Sequence, residues 1–194
     1  MAEVLLIHHI LGRTPGVVAL ADRFRAAGHT VHLPDLYEGR TFATIEEGAA
    51  FVQGADAPDF SARADQIADD LGPGVVWAGI SFGVIQAQRL AQTRAGAAGA
   101  ILMEACVPVT GDWAFGPWPE GVPVQIHGME ADPFFAGEGD LDAARELVSL
   151  NPAAELYLYP GDRHLFADSS LVGHDSAATD LLVERALGFL SGLG

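Results

Sequence analysis

Lysine is absent from the 194-residue chain, cysteine occurs once, and only 10 residues are basic against 26 acidic. Each shortage excludes a chemistry. Without lysine there is no Schiff-base amine, no P-loop and no Ser–Lys dyad. Cys106 alone closes no intrachain disulfide and builds no cysteine-rich zinc or iron–sulfur site. All the basic residues are arginines, and a net charge of −16 argues against a surface for nucleic acid or an anionic membrane. Long apolar runs are missing too. The opening MAEVLLIHHILGRT carries Glu3, has no basic start and holds only a short apolar stretch, so it reads as neither signal peptide nor membrane span. A cytoplasmic protein is the expectation. What is plentiful is core material: 49% of residues are hydrophobic and 19% charged, which suits one domain over residues 1–194.

Short apolar runs alternate with helical patterns. VLLIH (Val4 to His8), HTVHLP (His29 to Pro34), VVWAGI (Val75 to Ile80), GAILMEA (Gly99 to Ala105), VPVQIHG (Val122 to Gly128) and ELYLYP (Glu155 to Pro160) read as strands. Between them, Thr14 to Gly28 is the clearest helix, with Thr14 as N-cap, Pro15 at the first helical position and Gly28 as the stop. Further helices are expected from Phe82 to about Arg94, from Leu141 to Leu150 and from about Ala177 to Leu190. Apolar strands alternating with helices predict an open, mostly parallel α/β sheet. Two stretches break the rhythm and read as long irregular loops: Tyr37 to Phe60, and Cys106 to Gly121 with its Pro, Gly and aromatic residues.

The sharpest motif is Gly79-Ile80-Ser81-Phe82-Gly83, a G-x-S-x-G. With seven serines and 23 glycines, about 0.1 such matches are expected by chance, so the pattern alone is a modest signal. Its context strengthens it, because a strand precedes it and a helix follows, as a nucleophile elbow requires. The glycines are needed because side chains two residues either side of the turn would clash. A serine nucleophile needs a base, and the base needs an orienting acid. Asp132 lies just beyond the VPVQIHG strand and His164 just beyond ELYLYP, where parallel sheets collect their reactive groups. Ser81 is therefore assigned as nucleophile, His164 as general base and acid, and Asp132 as its orienter. The oxyanion hole is assigned to the backbone N–H groups of Phe82 and Ile10.

These residues carry a resemblance. IHHILG after the first strand, LPDLYEGR after the second, GISFG at the elbow, HGMEAD around the acid and YPGDRHLFAD around the histidine are similar to the dienelactone hydrolase family. The resemblance spans nearly the whole chain. It implies an α/β-hydrolase fold without a large cap domain, and cofactor-free, acyl-enzyme hydrolysis of an ester-like bond. Members named for the dienelactone reaction carry Cys where Ser81 stands, a Glu in the slot of His9, and an Arg that holds the substrate carboxylate where this chain has Asp168. Those departures point away from anionic lactones and toward small, neutral carboxylic esters or lactones.

Rivals stand beside these assignments. Glu130 and Glu104 compete with Asp132 for the role of acid, and His127 competes with His164, although its place inside an apolar strand suits a buried structural ring. His8 and His9 point to opposite faces of a strand, so one of them is a pocket candidate; His9, Trp113 and Phe134 are the residues assigned to the pocket. A metal site from His8, His9, Asp168 and His174 lacks any recognised ligand spacing, and no metal is expected. The expected state is a monomer or small homo-oligomer. The alternative to a hydrolase is a non-catalytic protein of the same fold that binds a small ligand or a partner.

Overall fold

The computed structural model describes residues 1–193. Its centre is a six-stranded sheet in which every pairing is parallel: β1 (Glu3–Ile7), β2 (Thr30–His32), β3 (Val75–Ile80), β4 (Gly99–Met103), β5 (Val124–Met129) and β6 (Ala154–Tyr159), in the spatial order β2-β1-β3-β4-β5-β6. The helices are α1 (Pro15–Ala26), α2 (Ile45–Val52), α3 (Phe60–Asp69), α4 (Phe82–Thr93), α5 (Asp140–Leu150) and α6 (Ser176–Gly192). The alternation of strand and helix expected from the sequence is present, and the strand boundaries differ by a residue or two.

The continuous apolar runs follow from burial on both faces. Along β1, Val4 and Leu6 join the core that α1 and α6 cover, while Leu5 and Ile7 join the opposite core. Val76, Ala78 and Ile80 of β3 repeat the first pattern, and Val75 and Trp77 the second. Each fully buried large aliphatic side chain contributes about 1.5–3 kcal/mol of transfer free energy. No described helix is long and apolar enough to cross a membrane.

One expectation is corrected. The stretch 37–60, read as an irregular loop, contains α2 and the start of α3. Thr44 caps α2 by accepting from the Glu47 N–H, and Asp59 caps α3 by accepting from the Ala62 N–H. The Glu47 side chain reaches back to accept from the Ala43 N–H, a Thr44-x-x-Glu47 start signal that apolar periodicity alone does not reveal. The Cys106 to Gly121 stretch is irregular, as expected.

The order of strands positions the site. From β1 the chain moves outward to β2, then returns to β3 on the other side and continues to β6. The carboxyl ends of β1 and β3 therefore flank a topological switch point, the place where open α/β sheets bind ligands.

Candidate active site

Ser81 occupies the turn between β3 and α4 with φ 48° and ψ −116°, a conformation unfavourable for a residue with a side chain. The sheet holds it there: its N–H donates to the Met103 carbonyl at 2.7 Å. The two flanking glycines are required by contact. A Cβ on Gly79 would stand 2.6 Å from the Gly83 backbone, and a Cβ on Gly83 would stand 2.4 Å from the Ile7 carbonyl oxygen. The first glycine lets α4 turn back over β3. The second lets the α4 N-terminus press against the loop that follows β1.

Three side chains separated in sequence meet at this edge. The Ser81 hydroxyl lies 2.8 Å from His164 Nε2 and donates to it. His164 Nδ1–H donates to Asp132 Oδ2 at 2.7 Å. The other Asp132 oxygen accepts from the Phe134 N–H at 2.9 Å, so the fully buried carboxylate is fixed from both sides. The loops carrying Asp132 and His164 are tied together, since the Ala131 N–H donates to the Gly161 carbonyl and the Arg163 N–H approaches the Met129 sulfur. Burial alone would lower the His164 pKa. The hydrogen bond to Asp132 and the charges of Glu104, Asp132 and Asp140 outweigh it and hold the imidazole above its ordinary value.

The Ser81 hydroxyl and the His164 ring open into a cavity of about 290 Å³ whose other walls include Ile85, Val107, Pro108 and Phe134. Phe134 sits against the imidazole with ring centroids 4.6 Å apart. Glu104, Glu138 and Asp140 also line it, and no arginine does. A slightly larger groove, about 340 Å³, lies beside Trp118 and Pro152, away from Ser81 and His164. The Phe82 and Ile10 N–H groups, the expected oxyanion donors, stand at the α4 N-terminus and in the loop after β1. Neither has a protein acceptor among the described residues.

The pocket residues expected from the sequence divide. Phe134 lines the cavity. His9 does not: it is fully buried, its Nε2–H donates to Asp168 Oδ2 at 2.8 Å, and its Nδ1 accepts from the Leu11 N–H. Trp113 is 84% exposed and absent from the cavity wall, because the irregular loop carries it outward. Asp168 is not poised to meet a substrate either. It is buried under α1, where the Thr14 hydroxyl, the Ser170 hydroxyl and the Ser170 N–H all donate to it. Burial would raise its pKa, but these bonds and the one from His9 bring it down to about 2. The rival histidine, His127, is buried against Tyr157 and Tyr159 and hydrogen-bonded to the Tyr159 hydroxyl. Sequence reasoning missed Ile85, Glu138 and Asp140. Ile85 lies one turn along α4 from Ser81, so helical spacing from the elbow would have found it.

A parallel sheet of this order, a strained serine between β3 and α4, and a carboxylate and an imidazole on the loops after β5 and β6 define the α/β-hydrolase fold. Solved structures agree. The chain is similar to a dienelactone hydrolase-like promiscuous phosphotriesterase, P91, from metagenomic libraries (TM-score 0.73, 16% identity, covering 100% of this chain and 87% of that one). It is also similar to esterase 2 of Thermogutta terrifontis (0.68, 18%, 100% and 83%), solved phosphonylated by cyclosarin in one structure at 0.69 and 16%, and to MGS-M1, an α/β-hydrolase from a deep-sea metagenome library (0.65, 13%, 98% and 84%). No family model and no curated protein matches the sequence.

Proposed function

We propose that the protein is a serine hydrolase of small, neutral carboxylic esters or lactones, acting through an acyl-enzyme on Ser81. The observation that carries this reading is the continuous hydrogen-bonded chain from Ser81 through His164 to Asp132, with its hydroxyl end open to the cavity. Ser81 Oγ attacks the carbonyl carbon as His164 Nε2 takes its proton. The carbonyl oxygen becomes an oxyanion between the N–H groups of Phe82 and Ile10, where one such donor is worth about 2.7–4 kcal/mol in the transition state. His164 then gives the proton to the departing alkoxide. Water attacks the acyl carbon as it loses a proton to the same nitrogen, the bond to Ser81 Oγ breaks, and His164 returns that proton to Ser81 as the acid product leaves. The raised His164 pKa suits a base that must hold a proton briefly and return it.

Neutral substrates fit the cavity wall, which offers apolar side chains and carboxyl groups but no arginine. The neighbours named as an esterase and as a phosphotriesterase support a hydrolytic role. A fluorophosphonate probe tests the reading directly. Intact-mass and peptide analysis should find the adduct on Ser81, and Ser81→Ala should lose both labelling and hydrolysis of activated acyl esters. A folded protein that resists the probe and leaves such esters intact would instead support the ligand-binding alternative.

A further inference from the structure

Glu104 follows directly on β4, with its backbone at φ 63°. The residue is 1% exposed, and neither carboxyl oxygen has a hydrogen-bond partner among the described residues. The backbone N–H groups of Phe166 and Ala167 direct their partial charge toward it without closing a well-formed bond. A structural glutamate buried this deeply is expected to have its oxygens saturated, since leaving them unpaired costs free energy with no packing advantage over an apolar residue. This one instead lines the same cavity as Ser81 and His164.

The charges around it are specific. His164 and Asp132 act on it from the loops after β6 and β5. Asp140, at the start of α5, acts on the same His164 and Asp132 pair. On the strand side the Glu104 N–H donates to the His127 carbonyl at 2.6 Å, and the His127 ring, its pKa lowered to about 3 by burial and by Arg185, contributes no charge.

We propose that Glu104 is a second carboxyl partner of the His164 imidazole, a positioning residue whose charge adds to that of Asp132 on the imidazolium formed when Ser81 loses its proton. The proposal rests on the hydrolase reading of the site. Burial, reinforced by the Asp132 charge and opposed by His164, pushes the Glu104 pKa up to about 7. The two groups act on each other: a carboxylate at 104 favours the protonated ring, and the protonated ring favours the carboxylate. The proton balance of the reaction is unchanged. The Ser81 proton goes to Nε2, and Glu104 exchanges its own only with water.

The test is an NMR titration of the His164 ring in the free protein, using ring-labelled histidine, for the wild type, Glu104→Gln and Glu104→Met. The methionine variant suits a dry site and guards against misfolding of the amide. Both variants should lower the His164 midpoint by about half to one pH unit. The ascending limb of kcat/KM on a neutral ester should move the same way, and its plateau should fall about tenfold. An unchanged midpoint in either folded variant overturns the proposal, whatever happens to the rate, because a structural role would alter rate and stability without moving the titration. The NMR readout needs no substrate, so a shifted midpoint in a protein whose Ser81 resists the fluorophosphonate would overturn the hydrolase reading and leave the charge pairing standing.

Discussion

Two buried histidine–carboxylate pairs stand at the same end of the sheet, and their near nitrogens are indistinguishable: 2.7 Å from His164 to Asp132, 2.8 Å from His9 to Asp168. The far nitrogens differ. His164 Nε2 accepts from a hydroxyl that opens into a cavity. His9 Nδ1 accepts from the Leu11 N–H and has nothing left to offer. The carboxylates differ likewise, since Asp168 also receives Thr14 and Ser170. A histidine–aspartate pair is thus no evidence of catalysis by itself; the free valence of the ring is. The saturated pair still serves the open one at a distance. By fixing His9 and Leu11 it clamps the residue between them, Ile10, whose N–H is the proposed oxyanion donor.

Breaking each pair separately gives the largest contrast. Asp132→Asn should lower kcat/KM by about 10⁴-fold, because the amide stabilises the wrong ring tautomer and cannot balance an imidazolium. Its urea midpoint should move little by comparison. Asp168→Asn should do the reverse, losing roughly 2–4 kcal/mol of folding stability in urea melts as a buried, multiply bonded charge is removed. Its kcat should drop no more than about tenfold through a loosened Ile10. Equal activity losses from the two substitutions would dissolve the distinction drawn between the pairs.

Acid sharpens the same contrast. The Asp168 pKa lies at about 2 in the fold, below its ordinary 3.8. Its stabilisation is therefore fully present above pH 3.8 and is lost as the pH falls toward 2. His8 adds an earlier loss. Its ring is buried neutral, with Nδ1–H donating to the His9 carbonyl and Nε2 accepting from the Leu36 N–H, and burial lowers its pKa from 6.5 to about 4. That contribution is complete above pH 6.5 and declines as the pH falls toward 4. In urea melts from pH 8 downward, this His8 loss is opposed by Glu104, whose raised pKa gives stability back as the pH falls below about 7, whereas the gap between wild type and Asp168→Asn should stay constant until about pH 4 and only then close.

How much of this was legible in the sequence follows from where each signal originates. The strands were readable because burial on both faces leaves unbroken apolar runs, as in VVWAGI. The elbow was readable because Gly79 and Gly83 answer steric demands made within a few residues. The meeting of Asp132 and His164 could be anticipated because the loops after neighbouring parallel strands converge at one edge of the sheet. The fate of Asp168 was not legible: its partners come from residues 9, 14 and 170, two of them more than 150 positions away. Nor was the direction of Trp113, since an irregular loop has no periodicity to assign it a face. The second helix was obscured because Phe42, Phe51 and Phe60 pack around Tyr37 as an aromatic cluster rather than along a helical stripe.

The smallest predicted effect turns on which acids the substrate meets. Asp168 stands where the resemblance places a clamp for a substrate carboxylate, yet it is sealed under α1 and can neither attract nor repel an acyl group. Repulsion of anionic acyl groups must come from Glu104, Glu138 and Asp140 on the cavity wall. Glu138 is solvent-exposed, so its share is screened and should amount to only about a two- to fivefold change in kcat/KM. Neutral esters should be preferred over carboxylate-bearing ones of equal size. Glu138→Gln should narrow that preference, added salt should narrow it in the wild type, and Asp168→Asn should leave it unchanged. If Asp168→Asn alone relaxed the preference, the second pair would be open to the substrate after all.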